Sequence, residues 1–376
     1  MEGTRLIELT KFNKTLLIFQ SINYTFAFNL LRTFWGATNF NLMTNKRLGI
    51  IGGGSWAVAV ANILLENGDV ELNWWVRDEA VATEINSNGV NIKHLSDVRL
   101  DAHRMHASND LRFVVQQSDI LFIAVPSAFV GTVLGQLEIE AYHGKQFVSM
   151  VKGIVVGCDK PVSVFLNREL SVPQSAICVV GGPSHAEEVV ERKPTFLTVA
   201  SENPNLASTV QQLLSCHYTH LYTTTHVHAV EWAGVMKNIY AIASGICDGL
   251  HLGDNMKAVI VTAALREMYT QIERLEEPGF RCFDEYYFLG DLMVTCWSEH
   301  SRNHQLGVRV GSGESVADVL NEAAAVAEGY YGTAAIKRCM DKGMLQSMPV
   351  AEAVGRVLYD GVDPRAEFTH LIDSVL

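Results

Sequence analysis

Six short apolar runs, separated by stretches that fit helices, constrain the fold of this chain more than any other feature. The runs occupy residues 48–51, 71–76, 120–125, 146–151, 177–181 and 195–200. Strands that alternate with helices pair in parallel, with helices on both faces of the sheet. We therefore expect an α/β fold with a Rossmann-type, doubly wound parallel sheet. After about Glu231 the pattern changes to long amphipathic segments, which predict a second, mostly α-helical C-terminal domain.

A glycine-rich turn follows the first run, in the stretch GIIGGGSWAVAVANIL. Gly52, Gly54 and Ala57 form Gly-x-Gly-x-x-Ala, in which the first glycine permits a tight turn and the second lets a pyrophosphate approach the backbone. The third small residue allows the helix and the strand to pack closely, and the helix N-terminus offers N–H groups to phosphates. The position of the motif in the first βαβ unit predicts dinucleotide binding, with a purely structural turn as the alternative.

The second run ends in WWVRD, which leaves the choice of cofactor open. An acid at the end of this strand usually holds the ribose 2′-hydroxyl of NAD. Here Arg77 precedes Asp78, and an arginine can pair with the 2′-phosphate of NADP. A solvated arginine at a strand end is the alternative, so NAD and NADP both remain candidate cofactors.

The net charge and the cysteine and histidine content limit the partners and cofactors that this chain is expected to bind. The formal net charge of −12 argues against a nucleic-acid partner, which needs a concentrated basic face. The seven cysteines are scattered and never spaced as Cys-x-x-Cys, a pattern typical of reduced thiols in the cytoplasm. Cys216 and four histidines crowd into residues 216–228, but no standard zinc spacing fits them, so we expect no metal.

The first 42 residues differ from the rest, being weakly basic and rich in Asn, Phe and Leu. Polar residues at Gln20, Asn23 and Asn29 interrupt their apolar part, which falls short of the ~18 residues that a membrane span requires. No small-residue cleavage site of a secretory signal follows. We therefore expect no stable membrane insertion, and Met43 is the expected natural start.

The length of 376 residues exceeds the roughly 250 to 300 that a single core usually supports, so we expect two domains. The N-terminal extension, residues 1–45, is expected to be disordered or non-native. A dinucleotide-binding Rossmann domain would follow over residues 46–230. Residues 231–376 would form a helical domain that binds the substrate and carries catalytic groups.

Three segments outside the glycine turn carry candidate site residues. Lys152, in SMVKGI, follows the fourth run at the sheet edge where an anionic substrate could bind. The segment GGPSHAEEV fits a capping box, with Ser184 and Glu187 bonding to the helix backbone. Residues 231–250 predict a helix with one apolar face, formed by Trp232, Val235, Ile239, Ile242 and Ile246. Lys237 lies off that face beside small residues, which leaves room for a ligand.

Ten segments, taken in chain order, resemble the NAD(P)-dependent glycerol-3-phosphate dehydrogenases of bacterial type. They are GGGSW, AVPS, VKGI, GGPSHAEEV, KPT, GVMKNIYAIASGICDGL, LGDNMKA, LGDL, TCWSEHSRN and AEG. The resemblance runs from about residue 47 to near the C-terminus. It implies hydride transfer between a nicotinamide and carbon 2 of a three-carbon phosphate. The reaction would interconvert dihydroxyacetone phosphate and sn-glycerol 3-phosphate, which supplies phospholipid synthesis in the cytoplasm.

The same resemblance implies roles for individual residues. Lys237 resembles the catalytic lysine, which moves a proton near neutrality only if burial or nearby cations lower its pKa. Lys152 resembles the second active-site lysine, and Asp254 the acid that orients the lysine and the substrate. Arg302 and Asn303 resemble the pair that grips the substrate phosphate, a contact for which a planar guanidinium is well suited.

Binding residues follow from the resemblance as two overlapping sets. The substrate set is Lys152, Ser184, Lys237, Arg302 and Asn303. The cofactor set is Gly52, Gly54, Ser55, Trp56, Arg77, Lys152, Arg302 and Glu328. A homodimer is a further expectation of the resemblance.

The chain departs from the family pattern in two places. Ala263 stands where the family usually has an arginine, so we expect one positive charge fewer near the phosphate or the cofactor. Tyr286, Tyr287 and Phe288 stand where glycines are usual, which predicts altered substrate access or loop motion. Two alternatives remain: a β-hydroxyacid or sugar-acid dehydrogenase of the same architecture, and a non-catalytic dinucleotide-binding regulator.

Overall fold

The computed structural model describes residues 46–67, 70–276, 280–322 and 327–375. The predicted extension, residues 1–45, and the predicted start at Met43 lie outside the described residues. Residues 47–376 form one compact unit. Among the described residues, no helix is both long enough and apolar enough to cross a membrane.

All six apolar runs form strands, as predicted. The strands are β1 Leu48–Ile51, β2 Leu72–Trp75, β3 Met105–Ser108, β4 Ile120–Ile123, β5 Gln146–Ser149, β6 Ile154–Val155, β7 Lys160–Pro161, β8 Ile177–Gly181, β9 Thr195–Ala200 and β10 Thr219–Thr224. Eight of them form one sheet in the order β10-β9-β8-β5-β4-β1-β2-β3, and β6 and β7 form a separate hairpin. Strand β1 lies in the interior of the sheet and is completely buried.

Fifteen helices are described. They are α1 Ser55–Glu66, α2 Glu79–Asn88, α3 Leu111–Gln116, α4 Ser127–Leu134, α5 Val162–Glu169, α6 Ala186–Val190, α7 Pro204–Leu214, α8 Val227–Gly249, α9 Gly253–Leu275, α10 Asp291–Trp297, α11 Arg302–Gly311, α12 Val316–Glu322, α13 Glu328–Asp341, α14 Pro349–Tyr359 and α15 Pro364–Val375. The first seven connect or follow strands of the sheet, and α8 to α15 form the mostly helical C-terminal part, as predicted.

The sheet is parallel except at one pair, because β9 runs antiparallel to β8. The connection between them contains only α6, a helix of five residues. Such a helix spans about 8 Å, whereas the five residues of β8 extend over about 16 Å. A helix this short does not return the chain to the opposite edge of the sheet, so β9 starts where β8 ends. The predicted Rossmann-type parallel sheet is therefore confirmed, with this one antiparallel pair as its exception.

Helix α8 lies at the centre of the helical part and is buried on all sides, which corrects the predicted single apolar face. It packs against α9, α10, α11, α13 and α14. Gly245 of α8 and Gly307 of α11 let these two helices approach closely, because a methyl group on either would overlap the backbone of the other helix. This close packing holds the first turn of α11, with Arg302 and Asn303, beside α8.

The aromatic residues that stand where glycines are usual form a local structure of their own. Residues Tyr286–Gly290 make a single π-helical turn that leads directly into α10. Tyr287 and Phe288 are buried in the helical core. Tyr286 is exposed and lies against Phe196 and Tyr222 of β9 and β10. The aromatic residues therefore anchor the start of α10 to the edge of the sheet.

Candidate active site

A cavity of about 450 Å³ lies between the carboxyl edge of the sheet and helices α8, α10, α11 and α13. Most of the site residues predicted from the sequence line it: Gly54, Ser55, Trp56, Arg77, Lys152, Ser184, Lys237, Arg302, Asn303 and Glu328. Gly52 occupies the turn immediately before this wall. Only Asp254 among the predicted residues lies elsewhere.

The glycine turn is shaped to receive a dinucleotide. Gly52 has a φ of +139°, and a Cβ there would lie 2.5 Å from the carbonyl oxygen of Ala124. Above Gly54 a Cβ would meet no atom within 4 Å, so the backbone is open to the cavity. No side chain caps the N-terminus of α1, which leaves its first N–H groups available to phosphate oxygens. The residues present therefore fit the pyrophosphate of NAD or NADP.

One buried carboxylate holds both candidate lysines. Oδ1 of Asp291 lies 2.5 Å from Nζ of Lys237, and Oδ2 lies 2.8 Å from Nζ of Lys152. Lys237 also donates to Oγ1 of Thr295 at 2.8 Å, and Lys152 to the carbonyl oxygen of Gly182 at 2.7 Å. Two cations and one anion share this wall of the cavity, which leaves one net positive charge.

The electrostatics of this group set the proton affinity of Lys237. Burial lowers its pKa to about 8, with the Lys152 ammonium acting in the same direction and the Asp291 carboxylate opposing it. For Asp291, burial by itself favours the neutral acid, but the two ammonium groups outweigh burial and hold its pKa below the usual range. The arrangement is a carboxylate that stays ionised beside a lysine that titrates close to neutrality.

Asp254 does not take the part that the sequence indicated. It lies exposed in the first turn of α9 and does not line the cavity. The carboxylate that contacts Lys237 belongs to Asp291, two elements further along the chain. Sequence reasoning missed Asp291, the acid of the LGDL segment, and Thr295. The two residues are four apart, which places them on one face of α10.

A pair of asparagines ties the walls of the cavity together. Nδ2 of Asn238 donates to the carbonyl oxygen of Lys152 at 2.9 Å, and its Oδ1 accepts from Nδ2 of Asn303 at 2.9 Å. Oδ1 of Asn303 accepts from the N–H of Gly329 at 2.9 Å. These contacts fix the start of α11 relative to α8, α13 and the loop after β5.

The predicted capping box at Ser184 is wrong. Helix α6 begins at Ala186 with His185 as its cap residue, and no side chain bonds to its first turn. Oγ of Ser184 instead donates to the carbonyl oxygen of Gly182 at 3.0 Å, and Ser184 and Glu187 line the cavity. The helix starts too late for the Ser-x-x-Glu spacing to form the box.

His185 is a cavity residue that sequence reasoning missed. Its Nε2 is buried and has no hydrogen-bond partner among the described residues. Burial lowers the pKa of His185, and the ammonium groups of Lys237 and Lys152 lower it further. A neutral imidazole therefore faces the two lysines.

Glu328 links α13 to the sheet half of the cavity. Its carboxylate accepts from the N–H of Ser127 at 2.9 Å and from the Ser127 hydroxyl, at the start of α4. Burial raises the pKa of Glu328, while the two contacts from Ser127 lower it. Glu328, one of the residues predicted for the cofactor set, therefore joins α13 to the start of α4 at the cavity wall.

The departures from the family pattern lie away from the cavity. Ala263 is buried in the helical core on α9, and Tyr286, Tyr287 and Phe288 are likewise not among the lining residues. In the described part of the chain, no group of three or more His, Cys, Asp or Glu is arranged to hold a metal ion. The histidine-rich segment at 216–228 forms β10 and its flanks.

Two family models match the chain over most of its length. Residues 47–207 match the N-terminal model of NAD-dependent glycerol-3-phosphate dehydrogenase, and residues 226–369 match the C-terminal model. Residues 208–225 lie between the two matched segments and contain the end of α7 and strand β10.

Individual relatives agree with the family match. Glycerol-3-phosphate dehydrogenase (NAD(P)+) of Staphylococcus aureus is 36% identical over 317 residues, which are 84% of this chain and 94% of the relative. The enzyme of the same name from Clostridium botulinum is 35% identical over 330 residues, 87% of this chain and 97% of the relative. A crystal structure of glycerol-3-phosphate dehydrogenase from Coxiella burnetii superposes with a TM-score of 0.80 at 27% identity, covering 87% of this chain and 99% of the other.

Proposed function

The chain belongs to the NAD-dependent glycerol-3-phosphate dehydrogenase family, and from that membership we propose how its cavity carries out the reaction. It is an NAD(P)-dependent oxidoreductase that interconverts dihydroxyacetone phosphate and sn-glycerol 3-phosphate. The observation that carries the assignment of residues is the pair of lysines held by Asp291 beside an open glycine turn. When bound, the nicotinamide supplies or accepts the hydride.

Lys237 is the group that moves the proton. In the reducing direction its ammonium donates to the oxygen on carbon 2 as that oxygen gains electrons, and in the oxidising direction the neutral amine accepts the hydroxyl proton. A pKa of about 8 makes both forms accessible near neutrality. Lys237 uses two of its three N–H groups on Asp291 and Thr295. The third is left for the substrate oxygen.

Lys152 supplies a second positive charge to the same oxygen. Two of its N–H groups are directed to Gly182 and Asp291, and 18% of its side chain is exposed towards the cavity. A fixed ammonium stabilises an alkoxide more than a neutral carbonyl, so its contribution is larger in the transition state. Asp291 orients both ammonium groups and stays ionised throughout.

The substrate phosphate is assigned to the first turn of α11. Arg302 lines the cavity there and offers a planar guanidinium, and the helix N-terminus adds partial positive charge. Both side-chain polar atoms of Asn303 are already bonded, to Asn238 and Gly329. We therefore assign Asn303 to positioning Arg302, and the phosphate contact to Arg302 itself. Ser184 completes the substrate wall.

The cofactor lies along the opposite wall in this proposal. The turn from Gly52 to Gly54 receives the pyrophosphate, with Ser55 and Trp56 beside it at the start of α1. Arg77 lies at the adenosine end, and Glu328 closes over the nicotinamide end. Lys152 and Arg302 line the cavity where cofactor and substrate meet.

The remaining assignments extend this function to the whole chain. We propose a dinucleotide-binding domain over residues 46–230 and a substrate-binding domain over 231–376. The division between the two family matches, after residue 207 and before residue 226, supports a boundary in this region. We further propose that the enzyme acts in the cytoplasm as a homodimer and supplies sn-glycerol 3-phosphate to phospholipid synthesis.

The test is turnover by the purified full chain, followed by the absorbance of reduced nicotinamide. Oxidation of NADH or NADPH is expected with dihydroxyacetone phosphate but not with unphosphorylated dihydroxyacetone. Lys237→Ala should lower kcat by at least about a hundredfold without weakening cofactor binding. Lys193→Ala is the matched control, because Lys193 is exposed and pairs with surface acids away from the cavity. Cofactor binding without any turnover would contradict the proposal and favour a non-catalytic dinucleotide-binding protein.

A further inference from the structure

A group of polar and charged side chains outside the cavity joins α8, α9 and α11. It consists of Asp248 near the end of α8, Lys257 on α9 and His304 in the first turn of α11. Oδ2 of Asp248 lies 2.6 Å from Nζ of Lys257 and 2.8 Å from Nε2 of His304. None of the three lines the cavity, and the proposed mechanism uses none of them.

The group is largely enclosed by the helices that form one wall of the cavity. Only 7% of the Lys257 side chain and 12% of the His304 side chain are exposed. Nζ of Lys257 also lies 5.2 Å from the ring centroid of Trp297, the last residue of α10, which is a cation–π contact. The group therefore ties α8, α9, α10 and α11 together at one place.

The first turn of α11 directs three consecutive side chains to three different partners. Successive residues of a helix are rotated by about 100°, so Arg302, Asn303 and His304 point away from one another. Arg302 lines the cavity, whereas Asn303 bonds to α8 and to the start of α13. His304 bonds to the end of α8 through Asp248. Contacts in two directions fix the rotation of this turn about its axis, and the direction of Arg302 follows from it.

The backbone of the same turn is held by its cap. The hydroxyl of Ser301 accepts from the backbone N–H of His304 at 3.2 Å. The backbone of His304 is thus fixed by the cap and its side chain by Asp248. The carboxylate of Asp248 is an acceptor for both of its partners, so Nε2 of His304 is the donor in their contact.

We propose that His304 and Asp248 are positioning residues for recognition of the substrate phosphate, because they hold the first turn of α11 so that Arg302 meets that phosphate. The inference deepens the proposed function and rests on it, since it takes Arg302 as the phosphate contact. A guanidinium forms two parallel bonds to a phosphate only in a narrow geometry, so a small rotation of the turn weakens the contact.

Lys257 makes an acid tolerable beside this turn. Without a partner, the carboxylate of Asp248 would repel a phosphate bound at the start of α11. The ammonium of Lys257 pairs with it and leaves the two groups without net charge. A buried ion pair adds little net stability, because the cost of desolvation offsets the attraction. A role in fixing geometry therefore explains the group better than a role in stabilising the fold.

The experiment measures substrate binding and turnover separately. The full chain, saturated with reduced nicotinamide cofactor so that no reaction occurs, is titrated calorimetrically with sn-glycerol 3-phosphate. His304→Ala is expected to weaken this binding about tenfold and to raise KM for dihydroxyacetone phosphate by a similar factor. Binding of NADH and kcat should stay nearly unchanged, because His304 lines no part of the cavity.

Two comparisons distinguish positioning from a general loss of structure. His304→Gln places an amide nitrogen near the position of Nε2 and should restore most of the affinity for sn-glycerol 3-phosphate. His143→Ala, at an exposed histidine in the sheet half, is the control and should change none of these quantities. A merely structural role predicts instead that NADH binding, kcat and the melting temperature fall together in His304→Ala, and that result would overturn the inference.

Asp248→Asn separates position from charge. The change keeps the side-chain volume but weakens the bond to His304 and deprives Lys257 of its anion. Positioning predicts that sn-glycerol 3-phosphate binds about threefold more weakly. An effect of charge alone predicts tighter binding, since a negative charge near the phosphate has been removed.

Failure of this inference can be told apart from failure of the proposed function. Tighter binding in Asp248→Asn, or unaltered affinity in His304→Ala, would overturn the inference while turnover of dihydroxyacetone phosphate by the unaltered enzyme left the proposed function intact. If the unaltered enzyme neither bound sn-glycerol 3-phosphate nor turned over dihydroxyacetone phosphate, the proposed function would be refuted, and this inference with it.

Discussion

At the scale of single residues, the chemistry depends on one carboxylate shared by two ammonium groups. Removing three charged groups from water is costly, and the cost is offset only where contacts satisfy nearly every polar atom. Asp291, Lys152 and Lys237 meet that condition, with Thr295 and Gly182 as further partners. The net positive charge that remains attracts an anion, such as the alkoxide that develops on the substrate during the reaction.

The raised acidity of Lys237 predicts opposite pH dependences for the two directions. Reduction of dihydroxyacetone phosphate needs the ammonium, so its kcat/KM should fall as pH rises through about 8. Oxidation of sn-glycerol 3-phosphate needs the neutral amine, so its kcat/KM should rise through the same pH. Initial rates at limiting substrate across this range provide the measurement. Profiles that are flat, or that change in the same direction, would show that another group moves the proton.

Replacing Asp291 should affect both lysines at once. In Asp291→Asn the two ammonium groups lose the anion between them, so the pKa of Lys237 falls and its protonated form becomes scarcer. We expect kcat/KM for reduction to drop about a hundredfold, with its pH limb moved to lower pH. Asp254→Asn is the matched control, because Asp254 is exposed and outside the cavity. Equal losses of kcat/KM in Asp291→Asn and Asp254→Asn would contradict this assignment and support the orienting role that the sequence indicated for Asp254.

At the scale of elements, the sequence predicted the strands and turns that a local residue pattern specifies. The buried strands are almost continuously apolar, and the glycine turn has a fixed spacing, so β1 and the start of α1 were both predictable. Strand β3, with the sequence MHAS, lies at the sheet edge and carries no such run. The antiparallel turn into β9 was not predictable either, since an apolar run has no direction.

In the candidate site, too, residues within motifs were predictable from the sequence, and residues placed by helix packing were not. Motifs gave the positions of Lys237, Lys152 and Arg302, because each lies in a segment with a recognisable pattern. The partner of Lys237 is set by how α10 packs against α8, which no local spacing encodes. Asp254 and Asp291 both follow glycines in similar segments, LGDN and LGDL, so only the packing distinguishes them.

Helix α8 is anchored to the sheet half of the molecule through Glu231. This residue is 4% exposed, and its carboxylate accepts from the N–H of Ser163 at 2.9 Å and from the Ser163 hydroxyl, in the first turn of α5. Burial raises its pKa from 4.5 to about 7, against the effect of these contacts. The folded protein therefore retains a proton on Glu231 between those two values, where the unfolded chain has lost it.

The raised pKa of Glu231 sets the direction in which the stability of the fold changes with pH. The contribution of Glu231 is fully present below its unfolded pKa and is lost as pH rises through about 7, a loss of about 3 kcal/mol. Glu231→Gln keeps the contacts and removes the ionisation, so its free energy of unfolding should vary less with pH. Urea unfolding at several pH values measures this. Glu169→Gln changes an exposed acid on α5 and is the control, because it should leave the pH dependence of the free energy of unfolding unchanged. If Glu231→Gln also left that pH dependence unchanged, Glu231 would not be the group that ionises.

At the scale of the whole molecule, the cavity needs both halves of the chain. The sheet edge provides the glycine turn and Lys152, and the helices provide Lys237, Asp291 and Arg302. The compact unit that contains them begins at Arg47, and the family match begins at the same residue. Everything that the proposed mechanism uses therefore lies within residues 47–376.

A chain that begins at Met43 should accordingly fold and turn over like the full chain. It retains Arg47, whose side chain pairs with Asp119, and all of β1, which lies between β2 and β4. We expect kcat/KM and the melting temperature to match those of the full chain. A chain that begins at Gly52 is the control: it lacks β1, so β2 and β4 lose their shared neighbour and folding should fail. If the chain from Met43 lost activity or melted well below the full chain, residues 1–42 would be contributing to the enzyme.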